Sequence, residues 1–300
     1  MWIDTFHQAC RNAIDIEQLN IPYGDIRSYT LPTTISTARY EWYWAVVCAE
    51  LIKYLSVQHT FPEKYGHILN LIYFEKRVIG MVVSVGNCNI VVFRGTSTYS
   101  EWNIISDVAQ VDGIYAGFLH IYNAIKTSIV TEPTKHIIVT GHSLGAAIAI
   151  LYALDNEAVA VYTFGGPRVG NVAFAKRVDD NINLWRIVNA HDFICDVPLS
   201  VTPNMRDTKN PLIFQHGGTA VYTTVGANLG TFSSNHNMSV YSNTHIPHIT
   251  SLYNPRPEHI LYCMDDNAHI VRKIGRRRKK KIFLNTDQTL QKNIERFSIN

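Results

Sequence analysis

The sequence predicts an α/β protein with a mostly parallel central sheet and helices on both faces. Three observations carry this. Short β-branched apolar runs alternate with longer runs of helical spacing along much of the 300-residue chain. The run Ile90-Val91-Val92-Phe93 is apolar at every position, as in a strand covered on both faces. Finally, Ile137-Ile138-Val139-Thr140 leads through Gly141-His142-Ser143-Leu144-Gly145 straight into an alanine-rich stretch, a strand joined to a helix by one sharp turn.

Taken in order, residues 38–57 contain no glycine or proline and repeat apolar residues at helical spacing, which predicts a long helix. Stretches 68–74 and 78–85 read as adjacent strands around Glu75-Lys76-Arg77, and Asn87 and Asn89 flank the turn into the central strand 90–93. A helix is expected over 118–131, a strand over 137–140, a helix over 144–155 and a strand over 159–164. Gly165-Gly166-Pro167 ends that strand, a further helix starts at Asn171, and Trp185–Asn189 is the next strand. Pro211–Gln215 and Thr219–Thr224 read as the last pair of strands, around Gly217-Gly218. Residues 225–260 are rich in Asn, Ser, Thr, His and Pro and read as mostly loop, and 286–297 as a short amphipathic helix.

Size and charge bound the organisation. Three hundred residues favour one hydrophobic core with an extension over two equal domains. Arg272, Lys273, Arg276, Arg277, Arg278, Lys279, Lys280 and Lys281 supply eight positive charges, so the rest of the chain carries a formal −5 against the overall +3. The expected division is one main domain over 1–264 and a basic C-terminal extension over 265–300. Five scattered cysteines, without a CxxC pair, fit a reducing compartment better than a disulfide scaffold. The first 25 residues carry Asp4, Asp15, Glu17 and Asp25 and no continuous apolar core, so no secretory signal is expected. No apolar run reaches the roughly 20 residues of a spanning helix. The expected location is cytoplasmic, with peripheral membrane association through the tail.

The serine turn is a nucleophile elbow of the α/β-hydrolase type. Its glycines let Ser143 stand at the top of the sheet with helix N-terminal amides behind it, which suits acyl transfer through a serine ester. A serine hydroxyl needs a base, an acid to orient the base, and oxyanion donors. Asp192 follows the strand 185–189 directly and is the favoured acid, while Asp196 lies near Pro198 and reads as a solvated loop residue. His216, His236, His245 and His248 all follow the acid, and spacing alone does not choose among them.

From about Tyr40 to Tyr241 the chain resembles the class 3, fungal-type lipase family. The resemblance rests on Val91-Val92-Phe93-Arg94-Gly95-Thr96, on Trp102 and Asp107, on Gly117-Phe118-Leu119 with Tyr122, on Thr140–Ala146, and on Tyr162–Asn171. It implies a lipase with an α/β-hydrolase fold, with Ser143 as nucleophile, Asp192 as acid and the backbone N–H groups of Thr96 and Leu144 as oxyanion donors. The Thr96 hydroxyl would be a third donor. His216-Gly217-Gly218 matches a structural position in the family. Asn235–Tyr241 resembles its terminal histidine block, so the base implied is His236. His245, in Thr244-His245-Ile246-Pro247, is the alternative base. Residues 97–105, with Trp102 and Ile104, would form a lid whose opening exposes an apolar face to lipid. The family's fungal members are secreted and disulfide-bonded, and here the chain departs from them.

The substrate implied is an acylglycerol or other ester lipid, with no cofactor and no metal. The basic run Lys273–Lys281 reads first as a contact for anionic membrane, at about 1 kcal/mol per residue near a charged surface. A solvated tail, a nuclear-localisation-like patch and a nucleic-acid contact are the other readings, and no aromatic interleaving supports base stacking. The competing functions are a soluble carboxylesterase, a phospholipase A, and a catalytically silent binding protein on the same scaffold.

Overall fold

The computed structural model describes residues 40–57, 61, 65–97, 101, 106, 108–223 and 235–241, and the backbone of 261–262 and 271–272. Helix α1 (Trp42–Val57) is followed by strands β1 (His67–Phe74), β2 (Arg77–Val85) and β3 (Cys88–Phe93). A hairpin, β4 (Gln110–Val111) and β5 (Ile114–Tyr115), leads into α2 (Ala116–Ile125). The crossover series then runs β6 (His136–His142), α3 (Leu144–Asp155), β7 (Ala160–Phe164), α4 (Val172–Asn181) and β8 (Leu184–Val188). It closes with β9 (Val201–Thr202), β10 (Leu212–Ile213), β11 (Thr219–Tyr222), β12 (Leu261–Tyr262) and β13 (Val271–Arg272).

Among the described residues the main sheet has nine strands in the order β1-β2-β3-β6-β7-β8-β11-β12-β13. β3 through β12 pair in parallel, with antiparallel pairs at both ends. This is the mostly parallel, α/β-hydrolase-type sheet the sequence predicts. The central strands are buried on both faces, and their side chains alternate between two cores. Ile90 and Val92 pack with α1, together with Trp44, Tyr162 and Trp185. Val91 and Phe93 pack on the other face with residues of α2 and α3. Residues 144–153 of α3 are all buried, and its alanines let the helix lie close to the sheet behind Ser143.

Several elements differ from the sequence reading. The helix expected over 118–131 begins at Ala116 and ends at Ile125, passing into a 3₁₀ turn over Lys126–Ser128. Ile129 is already extended, as suits the β-branched run Ile129-Val130-Thr131 ahead of Pro133. The stretches 211–215 and 219–224 do not pair with each other. Leu212–Ile213 pairs with β9, whereas β11 lies parallel to β8, with Thr219 opposite Trp185. Gly217 turns the chain between them against α4, where a Cβ would fall 2.7 Å from Ala175 O. The loop reading of 225–260 is interrupted by a 3₁₀ turn at Met238–Tyr241. The amphipathic helix expected over 286–297 lies outside the described residues, as does the basic run apart from the backbone of Arg272.

Candidate active site

Ser143 stands between β6 and α3 with φ +55° and ψ −123°, a conformation costly for a residue with a Cβ. Two glycines permit the turn. A Cβ on Gly141 would fall 2.1 Å from Gly145 O, and one on Gly145 would fall 2.4 Å from Arg94 O. The serine is held from behind, its N–H donating to Phe164 O at 3.0 Å. Leu144 opens α3, so its N–H belongs to the first turn, where amides have no acceptor within the helix.

The structure brings together three residues that lie far apart in the chain. Ser143 Oγ is 2.8 Å from His236 Nε2, and His236 Nδ1 is 2.8 Å from Asp192 Oδ2. All three are buried, Asp192 at 2% exposure. Asp192 caps the short 3₁₀ turn Phe193–Asp196, with Oδ1 accepting from Ile194 N–H at 3.0 Å. Its Oδ2 also accepts from the Tyr241 hydroxyl at 2.6 Å. The carboxylate therefore has three donors. The Tyr241 phenol is pushed well above its ordinary range by burial and by the Asp192 charge, and so stays a donor.

The other predicted residues separate cleanly. Asp196 is largely exposed and pairs with Arg168 at 3.3 Å, outside this group. His216 bonds Cys195 O at 2.7 Å, consistent with a sheet-edge histidine. Thr96 is buried, and its Oγ1 has no hydrogen-bond partner among the described residues. A Cβ on the preceding Gly95 would lie 3.3 Å from Ser143 Cβ, so this loop runs against the serine. Trp102, Ile104, Asp107, His245 and His248 lie outside the described residues.

Four supporting residues went unread in the sequence. Tyr241 was visible only as the aromatic that ends the histidine block. Asn189 donates its N–H to Tyr241 Oη at 3.3 Å and its Nδ2 to Asn235 O at 3.0 Å, anchoring the histidine segment to the end of β8. His142 lies under His236, with ring centroids 4.6 Å apart and planes 29° apart, and its Nε2 bonds His236 O at 2.8 Å. Burial, then the neighbouring His236, holds His142 well below the ordinary histidine range, so it supports the ring without adding charge. Gly165 has φ +54°, and a Cβ there would meet Asp192, Tyr241 and His236 together. The spacing Gly165-Gly166-Pro167 signalled a strand end but not this proximity.

Residues 90–202 match the family described as Lipase (class 3). Over this segment the chain is similar to class 3 lipases. It is 35% identical over 132 residues to a lipase of Rhizopus niveus, covering 36% of this chain and 34% of that protein. It is 34% identical over 155 residues to a chloroplastic phospholipase A1 of Arabidopsis thaliana, covering 38% of this chain and 34% of the relative. The chain thus spans about a third of the length of these curated relatives. A crystal structure of a lipase from Rhizopus microsporus var. chinensis superposes over 57% of this chain and 74% of its own, at 25% identity and a TM-score of 0.42.

Proposed function

We propose that this chain is a serine lipase that hydrolyses the carboxylic esters of acylglycerols through an acyl-enzyme. The observation that carries the proposal is the buried row Ser143 Oγ, His236 and Asp192, joined by two 2.8 Å hydrogen bonds at the elbow. Ser143 Oγ attacks the ester carbonyl as His236 Nε2 takes its proton. Asp192 holds the other ring nitrogen as N–H and stabilises the imidazolium. The N–H groups of Thr96 and Leu144 receive the oxyanion, and the Thr96 hydroxyl adds a donor. His236 then protonates the leaving alcohol, and water repeats the sequence on the acyl-enzyme.

The substrate follows from the family and from the apolar residues of 97–105, read as a lid that opens at a lipid surface. A phospholipase A activity is the second reading, favoured by the likeness to the plant phospholipase A1, since the same attack serves both lipids. Residues 1–264 are proposed as the hydrolase domain and 265–300 as a basic extension that adds Val271–Arg272 to the edge of its sheet and holds the enzyme at anionic membrane in the cytoplasm. The free, buried thiols of Cys48, Cys88 and Cys195 fit a reducing compartment. Among the described residues no helix is long and apolar enough to cross a membrane.

The test is a panel of tributyrin, a long-chain triacylglycerol, a diacylglycerol and a diacyl phosphatidylcholine, each below and above its aggregation threshold, on wild type and Ser143→Ala. A lipase turns over the acylglycerols fastest, accelerates on aggregated substrate and loses all of this in Ser143→Ala. Preference for phosphatidylcholine favours the second reading. Turnover that ignores aggregation and is confined to short esters means a soluble carboxylesterase.

A further inference from the structure

Arg94 and Glu101 form a buried ion pair near the site, with no hydrogen bond to Ser143, His236 or Asp192 among the described residues. Arg94 follows β3 and precedes Gly95. Its Nη2 lies 2.9 Å from Glu101 Oε1 and its Nη1 3.2 Å from Oε2, a two-pronged contact. Nε donates to Val78 O at 2.6 Å, which ties the guanidinium to β2. Nη1 also donates to Gly95 O at 2.6 Å, and Glu101 Oε2 accepts the Ser97 N–H at 2.7 Å.

These bonds hold the two peptide planes on either side of Thr96. Among the described residues only Val197-Pro198 is cis, so both planes are trans, and each C=O points opposite to its N–H. With Gly95 C=O turned onto Arg94, the Thr96 N–H points to the other side. With the Ser97 N–H turned onto Glu101, the Thr96 C=O points away from that carboxylate. Thr96 is thus left with its N–H directed away from the ion pair, on a loop that runs against Ser143.

We infer that the Arg94–Glu101 pair is a positioning device that fixes the direction of the Thr96 N–H as an oxyanion donor. The inference rests on the reading of Ser143 as the nucleophile. Neither residue is hydrogen-bonded to Ser143, His236 or Asp192 among the described residues, and both act through the peptides from Gly95 to Ser97. A buried ion pair is seldom more stable than a well-packed apolar pair, so stability alone is a poor reason for its presence. Orientation of two successive peptide planes is a reason that an apolar pair would not satisfy.

The experiment compares wild type with Glu101→Gln and with the double variant Arg94→Met/Glu101→Leu. Glu101→Gln places an amide N–H against donors and frees one tether, and the double variant removes both charges while keeping the volume filled. Each is assayed on a soluble short-chain ester, with a boronic acid that forms a tetrahedral anion on Ser143, and with an uncharged ether analogue of the substrate. Both variants should lose kcat by about 10²-fold, the scale of one oxyanion donor, with KM nearly unchanged. Boronate affinity should fall by the same factor while the ether binds as before. If the double variant unfolds cooperatively and keeps the wild-type kcat, the inference is overturned. Equal weakening of boronate and ether, or loss of cooperative unfolding in both variants, also overturns it by reducing the pair to a structural role. Absence of Ser143-dependent turnover in the wild type would instead remove the underlying nucleophile reading.

Discussion

Gly165→Ala places one methyl group at the meeting point of the site without altering any proposed reacting residue. Gly165 has φ +54°, where an alanine costs about 1–2 kcal/mol. The added Cβ would lie 2.6 Å from Asp192 Oδ2, 3.0 Å from Tyr241 Oη and 3.2 Å from His236 Nδ1. Ordinary contact begins at 3.4 Å, so the carboxylate oxygen would have to withdraw by roughly 0.8 Å. The bond from His236 to that oxygen is 2.8 Å long, and a withdrawal of this size takes it out of hydrogen-bond range. A displacement of about 1 Å in a catalytic group costs about 10²-fold in rate. The assay is kcat on a soluble short-chain ester, with thermal unfolding measured beside it. The expected result is a kcat about 10²-fold lower in a protein destabilised by about 1–3 kcal/mol. A stable Gly165→Ala with wild-type kcat would refute the argument that Asp192 must sit where it does.

Three further outcomes follow from the same geometry. Tyr241→Phe removes a 2.6 Å donor from the buried Asp192 carboxylate and should cost about 1.5–3 kcal/mol in urea unfolding, with a lower kcat. Unchanged stability would mean that the hydroxyl does not serve the carboxylate. Thr96→Val removes a buried hydroxyl without a partner among the described residues, so stability should hold or rise. Turnover should nonetheless fall, by less than the roughly 3 kcal/mol of a full oxyanion donor, and unchanged kcat would leave Thr96 only its N–H. Burial, reinforced by His236 at His142 and by Arg186 at His216, holds both histidines well below 6.5 in the fold. The unfolded chain then binds more protons, so stability is full above about pH 6.5 and falls as pH drops, by at most about 1.4 kcal/mol per unit for each histidine. Urea midpoints measured from pH 7.5 to 5 should show this fall, and His216→Gln should flatten it. A midpoint that rises on acidification would reverse the sign of the argument.

The parts of this chain that were legible are those where local chemistry admits few solutions. The elbow is legible because only glycine fits at 141 and 145, where a Cβ would strike backbone atoms at 2.1 and 2.4 Å. The crossover strands are legible because burial on both faces demands unbroken apolar runs such as Ile90–Phe93. The β4–β5 hairpin also carried a signal, Asp112-Gly113, with φ +51° and +78° as a two-residue hairpin turn requires. Four residues of alternation were too few to raise it. The pairing of β9 with β10 was not legible, since two-residue strands leave no periodicity to read. Nor could spacing alone choose the histidine. His236 and Asp192 are 44 residues apart, and the segment between them contains His216, which meets a carbonyl instead. The family resemblance directed the choice to His236, which the structure places 2.8 Å from Ser143 Oγ. Tyr241 and His142 escaped notice because their roles exist only once the histidine segment folds back over β6.

The most direct test of the account is trapping with a fluorophosphonate, followed by intact-mass measurement and peptide mapping on wild type and Ser143→Ala. The account predicts one phosphonyl adduct per chain, on Ser143, formed in step with loss of esterase turnover and absent from a folded Ser143→Ala. An adduct on any other serine, or turnover that survives in Ser143→Ala, would contradict it.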